Sequence, residues 1–323
     1  MQPSVGVVIP ARNDAKGLPH AVATVLAQAG VHVDVITVAV GPSSDETEDV
    51  AAQLAREHGV VQVIANPSGR TPEALNLAIE ATDADVIARV DARSQLPSDY
   101  LANALETMTD TGAGNVGAIQ RPVGDTTTQR GIAAAMASRF GTGGAAYRGT
   151  TERKQVDTAW LGVFRRDALV AVGGYDESFT RNQDAELNLR LNAQGHEVWV
   201  DPRMVVDYRG RSSLRQLSSQ YWQYGWWRQL TVRKHPGSLR GRQALPAAGV
   251  AGIVVLAGMG AFWSRRWFLP IAGYGGALIA IGLSQGTGGL RERLTMSGAL
   301  ATMHVSWGAG FLASYVRSAV GPR

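Results

Sequence analysis

The sequence predicts an α/β domain with a mostly parallel sheet and helices on both faces, followed by C-terminal transmembrane helices. Three observations carry that expectation. Short apolar, β-branched runs alternate with helix-patterned segments through the first ninety or so residues. The runs are mostly apolar, as in strands covered on both faces. Beyond Arg242 come three stretches without Asp, Glu, Lys or Arg.

Taken in order, Val5–Pro10 reads as the first strand and Leu18–Gln28 as the first helix. Val33–Val40 is a second strand, broken by Gly41-Pro42, and Ser43 is placed to cap a helix through Asp49–His58. Val60–Ala65 is the third strand. Thr71 is placed to cap a helix to Ala81 that has Pro72 at its first position. Val86–Val90 is the fourth strand, with Asp91 directly after it. Ligands in such sheets bind beyond the carboxyl ends of the strands, so Pro10–Asp14, Gly41–Asp45 and Asp91–Arg93 lie where a site is expected. Arg121–Lys154 is Gly-, Thr- and Ala-rich and reads as a loop with helical pieces. Thr158–Phe164 resumes order; Asp167–Val172 and Ala185–Gln194 read as helices and Glu197–Val200 as a strand.

The 323 residues suit one α/β domain plus an appendage, divided here at 1–235 and 236–323. There is no cysteine, which excludes disulfides, thiolate zinc sites and a cysteine nucleophile. Lys plus Arg exceed Asp plus Glu by 31 to 27, and Arg228–Arg242 holds five basic residues and no acid. Apolar sequence follows that block at once, so it suits an anionic membrane surface and no nucleic acid is expected. Gln243–Ser264, Trp267–Leu290 and Leu294–Val316 are each long enough to cross about 30 Å of hydrocarbon, with a buried hairpin as the alternative. Three crossings from a cytoplasmic basic block put the C-terminus outside. No secretory signal pattern opens the chain, so the first domain is expected in the cytoplasm.

Two acids carry the chemistry. A lone carboxylate at a strand end, Asp91, suits a divalent cation held on a diphosphate, or else caps the next turn. Asp184 arrives from a distant segment and can take a proton from an attacking hydroxyl; a solvated acid at a helix start is the alternative. Gln183 beside it carries no charge, so Asp184 need not have a raised pKa. Glu186 should turn away from it and pair with Arg190 at i+4.

VVIPARND, GPSSDET, the stretch from Asn66 through TPEALNLAI, RVDARSQLP and LGVFRRDALVAVGGYDESFTRNQDAELNLRL together resemble the family 2 glycosyltransferases, whose fold is GT-A. The resemblance covers about residues 4–235 and points to the bacterial exopolysaccharide group, which carries membrane helices. It implies a metal-dependent inverting hexosyltransferase using a nucleotide-diphosphate sugar, with Asp91 as the Mg2+ or Mn2+ ligand and Asp184 as general base.

Donor contacts are implied at Pro10, Arg12, Asn13 and Asn76, with Asp45, Arg70 and Arg93 as further candidates. Ordinary turn chemistry also explains Pro10 and Asn13; a helix-start acid explains Asp45, and solvation explains Arg70. Trp160 and Gly162 match the acceptor-site segment, although Trp160 suits a core equally well. Gln220, Trp227 and Arg228 match imperfectly a Gln-x-x-Arg-Trp element that covers donor or acceptor. The aromatics there also suit an interfacial belt.

Three positions depart from the family pattern. Val40 stands where an acid usually reads the base, Arg93 stands at the third position of the metal motif, and Gln183 precedes the general base. A guanidinium has no lone pair for a metal, so Arg93 is expected on phosphate instead.

With apolar helices attached, the implied acceptor is a lipid-linked saccharide and the process polysaccharide or cell-envelope glycan synthesis. Membrane lipids and other polysaccharide-assembly proteins are the implied partners, at a multi-pass cell-membrane location. Two rivals stay open: a polyprenyl-phosphate glycosyltransferase, and an inactive membrane scaffold of the same fold.

Overall fold

The computed structural model describes residues 2–144 and 146–321. Strand β1 (Val5–Ala11) leads into α1 (Leu18–Leu26), then β2 (Val35–Val40), α2 (Thr47–Glu57), β3 (Val61–Ala65), α3 (Thr71–Glu80) and β4 (Val86–Arg89). There follow α4 (Tyr100–Thr111), β5 (Asn115–Val123), α5 (Thr127–Ala137), α6 (Arg139–Thr142), β6 (Lys154–Gln155) and β7 (Trp160–Arg165). The chain continues through α7 (Arg166–Ala171), α8 (Gln183–Ala193), β8 (Val198–Arg209) and α9 (Leu214–Lys234). Three helices complete it, α10 (Gly241–Phe262), α11 (Leu269–Gln285) and α12 (Leu290–Val320), with a 3-10 turn at Arg265–Phe268.

The eight strands form one sheet in the order β3-β2-β1-β4-β7-β5-β8-β6. β3, β2, β1 and β4 run parallel; β7 pairs antiparallel with β4 and β5, and β6 with β8, while β8 lies parallel to β5, bonded from Gly114 to Glu197 at one end and from Gly210 to Val123 at the other. The sheet is mixed: β7 and β6 run against the other six strands. The alternation of strand and helix that signals parallel pairing holds only up to β4. After β1 the chain steps through β2 to β3, then returns to put β4 on the other side of β1. The strand order thus reverses between β1 and β4, and a crevice opens at their carboxyl ends.

Local packing explains the parallel half. In α1 the residues Leu18, Ala21, Val22 and Val25 are buried, the i, i+3, i+4, i+7 stripe of a helix laid on a sheet. Burying a side chain the size of Leu18 is worth about 1.5–3 kcal/mol. A side chain on Gly6 would overlap Thr82, so β1 can lie this close to the end of α3 only without a Cβ. The N-caps differ from expectation. Arg70, not Thr71, is the N-cap of α3, and Glu46 that of α2; Ser43 instead donates to the Gly41 carbonyl at 2.9 Å.

The structure resolves into two compact units, one of residues 1–121 and 146–207, the other of 122–145 and 208–323. In the first unit a buried acid ties several elements together. Asp201 in β8 is fully buried and accepts from Thr107 at 2.7 Å, Arg153 at 2.9 Å and Arg203 at 2.8 Å. Burial opposes its charge, but these donors win and hold its pKa down at about 2.

In the second unit Ile132, Met136, Leu217, Met296, Leu300 and Met303 form part of a separate core. Residues expected as a loop with helical pieces supply α5, opened by a capping box between Thr126 and Gln129. The small residues of α5 give no periodic signal in the sequence, yet Ile132, Ala135 and Met136 are fully buried.

Two helical stretches, Gly241–Phe262 and Arg265–Gln285, are long and apolar enough to cross a membrane by length and composition. The expected third, Leu294–Val316, does not join them. It lies inside the 31-residue α12, whose Met296, Ala299, Leu300, Met303, Ser306 and Gly310 are buried against protein.

Candidate active site

Arg89, the last residue of β4, is the hub of the site. Its side chain is only 5% exposed. Nε and Nη2 donate to Oδ1 of Asp91 at 3.0 and 2.9 Å, and Nη1 donates to Oδ1 of Asp184. The guanidinium also lies 5.8 Å from the centroid of the Tyr175 ring. One cation thus joins two acids that are far apart in the chain. Asp91 is there because β4 ends at the switch point. Asp184 is there because α8 begins beside it, launched from Asn182 in a left-handed conformation (φ 62°).

The two carboxylates stay partly open, with Asp91 35% and Asp184 26% exposed. Burial raises the Asp184 pKa above the ordinary aspartate value; Arg89 pulls it down and the Asp91 charge pushes it up again. Gln183 does not relieve the repulsion, because the like charge comes from Asp91. For Arg89, burial works against the charge, and Asp184 and Asp91 more than offset it, so its pKa is raised.

Both Arg89 bonds to Asp91 fall on Oδ1, which leaves Oδ2 outside the ion pair. Among the described residues no group of three His, Cys, Asp or Glu gathers to cage a metal. The donor set thus fits a one-carboxylate metal site in which a substrate diphosphate and water complete the coordination.

Arg93 turns to the loop after β1: its Nε donates to Asp14 and its Nη2 to the Asn13 carbonyl at 3.1 Å. Asp14 closes the VVIPARND stretch without being among the implied donor contacts, and its pairing with Arg93 marks it. Asn13, with φ 54°, accepts on Oδ1 from the Ser44 amide at 2.7 Å. The Ala15 amide donates to Asp45 at 3.2 Å. The Thr47 hydroxyl, at 2.5 Å, is the main reason the Asp45 pKa is lowered. Arg12 reaches the carbonyls of Pro42 at 3.2 Å and Gly69 at 3.1 Å. Pro10, half-buried in β1, precedes this web. Here the β1 and β2 turns brace each other.

Beside them, at the ends of β2 and β3, is a cavity of about 340 Å³ lined by Val40, Pro42, Glu48, Val63, Ile64, Ala65, Asn66 and Pro67. Asp91 and Asp184 do not line it.

Asn76 is committed to structure at both ends of its amide. Nδ2 donates to the Tyr175 carbonyl at 2.9 Å, and Oδ1 accepts from the Tyr175 amide at 2.8 Å. Arg70 pairs with Glu73 at 2.8 Å and donates to the Glu177 carbonyl. Both therefore secure the Gly173-Gly174-Tyr175 turn that carries the ring under Arg89. Glu186 is buried and pairs with Arg190 at 2.7 Å, as its spacing implied.

Trp160 opens β7, half-buried against the main core, and a side chain on Gly162 would overlap Phe164. Gln220, Trp227 and Arg228 belong to the second unit. There Gln220 donates to the hydroxyls of Tyr208 and Tyr224, each at 2.8 Å, Trp227 donates to Gln223 at 3.2 Å, and Arg228 donates to the Ser238 carbonyl.

A parallel β3-β2-β1-β4 half, antiparallel strands beyond it and acids gathered at the switch point make this a GT-A glycosyltransferase fold. The chain belongs to glycosyltransferase family 2, whose family model, "Glycosyltransferase like family 2", matches residues 3–225. It is 32% identical over 283 residues to the succinoglycan biosynthesis protein ExoA of Rhizobium meliloti, covering 85% of this chain and 84% of that protein. A Methanococcus voltae dolichyl N-acetyl-alpha-D-glucosaminyl phosphate 3-beta-D-2,3-diacetamido-2,3-dideoxy-beta-D-glucuronosyltransferase is 25% identical over 202 residues, 60% of this chain and 63% of that one. Among solved structures, the mannosyltransferase PcManGT from Pyrobaculum calidifontis, in complex with GDP-Man and Mn2+, superposes with a TM-score of 0.64. The identity is 18%, and the match covers 95% of this chain and 87% of that one.

Proposed function

We propose that this protein is an inverting glycosyltransferase that moves a sugar from a nucleotide-diphosphate donor to a hydroxyl of a lipid-linked saccharide. The observation that carries the reading is the Arg89 bridge, which brings Asp91 and Asp184 to one place from distant segments. Asp184 is the general base: its carboxylate accepts the acceptor's proton as the oxygen bonds to the anomeric carbon. The bond from that carbon to the diphosphate breaks in the same displacement, its electron pair leaving with the diphosphate, and the centre inverts. The raised Asp184 pKa favours this role, since a more basic carboxylate takes a proton more readily.

Asp91 would hold Mg2+ or Mn2+, and the cation would supply charge neutralisation for the departing diphosphate. Arg89 positions both acids and offsets their mutual repulsion. Pro10, Arg12, Asn13 and Asp45 shape the donor's nucleotide end, and the apolar cavity beside Val40 is suited to a base. Asn76 and Arg70 act by holding the Tyr175 turn, and Arg93 by holding the β1 loop through Asp14. Trp160, Gly162, Gln220, Trp227 and Arg228 are proposed on the acceptor side, within a catalytic region of residues 1–235.

A lipid-linked acceptor is supported by the two apolar helices and by the dolichyl-linked substrate in the name of the Methanococcus relative. Polysaccharide assembly on a cell membrane, with the catalytic region cytoplasmic, is part of the same proposal, supported by the apolar helices and the ExoA likeness. The test is a donor screen on membranes containing the protein, reading released nucleoside diphosphate with Mg2+, Mn2+ or chelator. Turnover that chelator stops and Asp184→Asn depresses is expected. Turnover undiminished in Asp184→Asn would favour transfer to a lipid phosphate, and no turnover with any donor defeats the enzymatic reading.

A further inference from the structure

Resting on the acceptor-side reading above, we infer that Gln120 is an acceptor-binding residue. Its amide takes a hydroxyl of the acceptor saccharide, beside the Trp160 indole that a bulge in β7 turns to the same face. Gln120 lies near the end of β5 and is 7% exposed. Its Oε1 is sealed from solvent and accepts no hydrogen bond among the described residues. A buried amide without a partner costs stability that an apolar side chain of the same length would not. The fold therefore gains nothing from it, whereas a ligand hydroxyl would satisfy it. With no bond there to lose, the amide is free to turn toward that hydroxyl.

Strand order brings Gln120 to the catalytic edge of the sheet. Strand β7 runs against both β4 and β5, so it starts where they end. Ala88 faces Val163, which puts Trp160, three residues earlier, past the end of β4 and near the height of Asp91. Ala118 faces Trp160, and Gln120 follows two residues on, on the same face. Strand β5 is two strand spacings from β4, about 10 Å.

Trp160 shares that face only because β7 is bulged. Val116 faces Val163 and Ala118 faces Trp160, so Leu161 and Gly162 together oppose Gly117. Regular alternation from Val163 would put Ala159 on the side of Val163 and Trp160 on the side of Phe164. The reverse is found: Ala159 is buried with Phe164, and Trp160 packs on the cluster that holds Val163 and Ala118. The bulge is kept against backbone strain. Leu161 is fully buried with a left-handed φ of 49°, which side-chain-bearing residues rarely adopt. The buried Tyr100 hydroxyl donates to its carbonyl at 2.5 Å, and a side chain on Gly117 would overlap Ala159. Strain of this kind gathers at functional sites, where the surroundings enforce it. An indole face can cover the C–H side of a sugar ring while an amide donates to and accepts from its hydroxyls. An uncharged pair of this chemistry suits a saccharide, not a second phosphate group.

The test separates acceptor use from donor use. In native membranes carrying the protein, labelled sugar from the donor that turns over is followed into the lipid fraction. Gln120→Leu should lower transfer about tenfold, the loss of one hydrogen bond to the acceptor, and leave donor KM within about twofold. The melting temperature of the purified variant should hold or rise, because an unpartnered amide has gone. Gln120→Met carries the same expectations should the leucine variant fail to fold. Transfer at the parent rate, a rise in donor KM that matches the loss of transfer, or a fall in melting temperature overturns the acceptor role. A parent protein that turns over no donor defeats the transferase reading itself, and this inference with it.

Discussion

Arg89 and Asp184 are joined by an ion pair between the end of β4 and the first turn of α8, and Asp91 shares the same guanidinium. The pair connects two segments separated by 95 positions and leaves each carboxylate partly open. An acid held this way is oriented before substrate arrives, and it stays basic because burial and Asp91 oppose its ionisation.

Asp184→Asn is the first consequence. The amide keeps an oxygen for Arg89 but cannot take a proton, so kcat should fall by about 10²–10⁴ with little change in donor KM. Steady-state kinetics on the purified variant checks both parameters.

The pH profile follows from the same shift. As pH falls through the raised pKa, Asp184 becomes protonated and loses the base function proposed for it. The acid limb of kcat should accordingly lie above the ordinary aspartate value of about 3.9. In Asp184→Asn that limb should disappear from the residual activity, and persistence of the limb would assign it to another group.

Removing the hub should be more damaging than removing either acid. Arg89→Met leaves Asp91 and Asp184 beside each other without a counter-charge, and breaking a buried pair in this way costs about 3–5 kcal/mol. Denaturant midpoints would show it. Arg89→Lys restores the charge but not the fork that grips both acids, so stability should return in part while the acid limb moves upward.

A fourth expectation concerns acid stability rather than catalysis. Asp201 has a folded pKa of about 2, so its contribution is present above the unfolded value and is lost as pH falls toward 2. Asp201→Asn should cost about 2–3 kcal/mol at neutral pH, and the gap to the parent should close between about pH 4 and pH 2. A gap unchanged across that window would mean that packing, not charge, makes the difference.

The sequence by itself determined the parallel half of the sheet, the strand ends where a site could form, and Asp91 and Asp184 as its acids. Those features are local: apolar runs, breakers and a carboxylate after a strand can be read a few residues at a time. It also marked α10 and α11 as apolar. The tertiary structure decided the rest. The antiparallel strands β6 and β7 depend on partners distant in the chain, and α5 hides in a small-residue stretch without amphipathic contrast. That Arg89 takes both acids, that Asn76 serves a turn rather than open space, and that α12 is covered by protein are facts of which surfaces meet. Composition makes Leu294–Val316 look like a lipid-spanning helix, because a charge-free helix reads the same whether lipid or protein covers it. Only its neighbours, above all α9, distinguish the two.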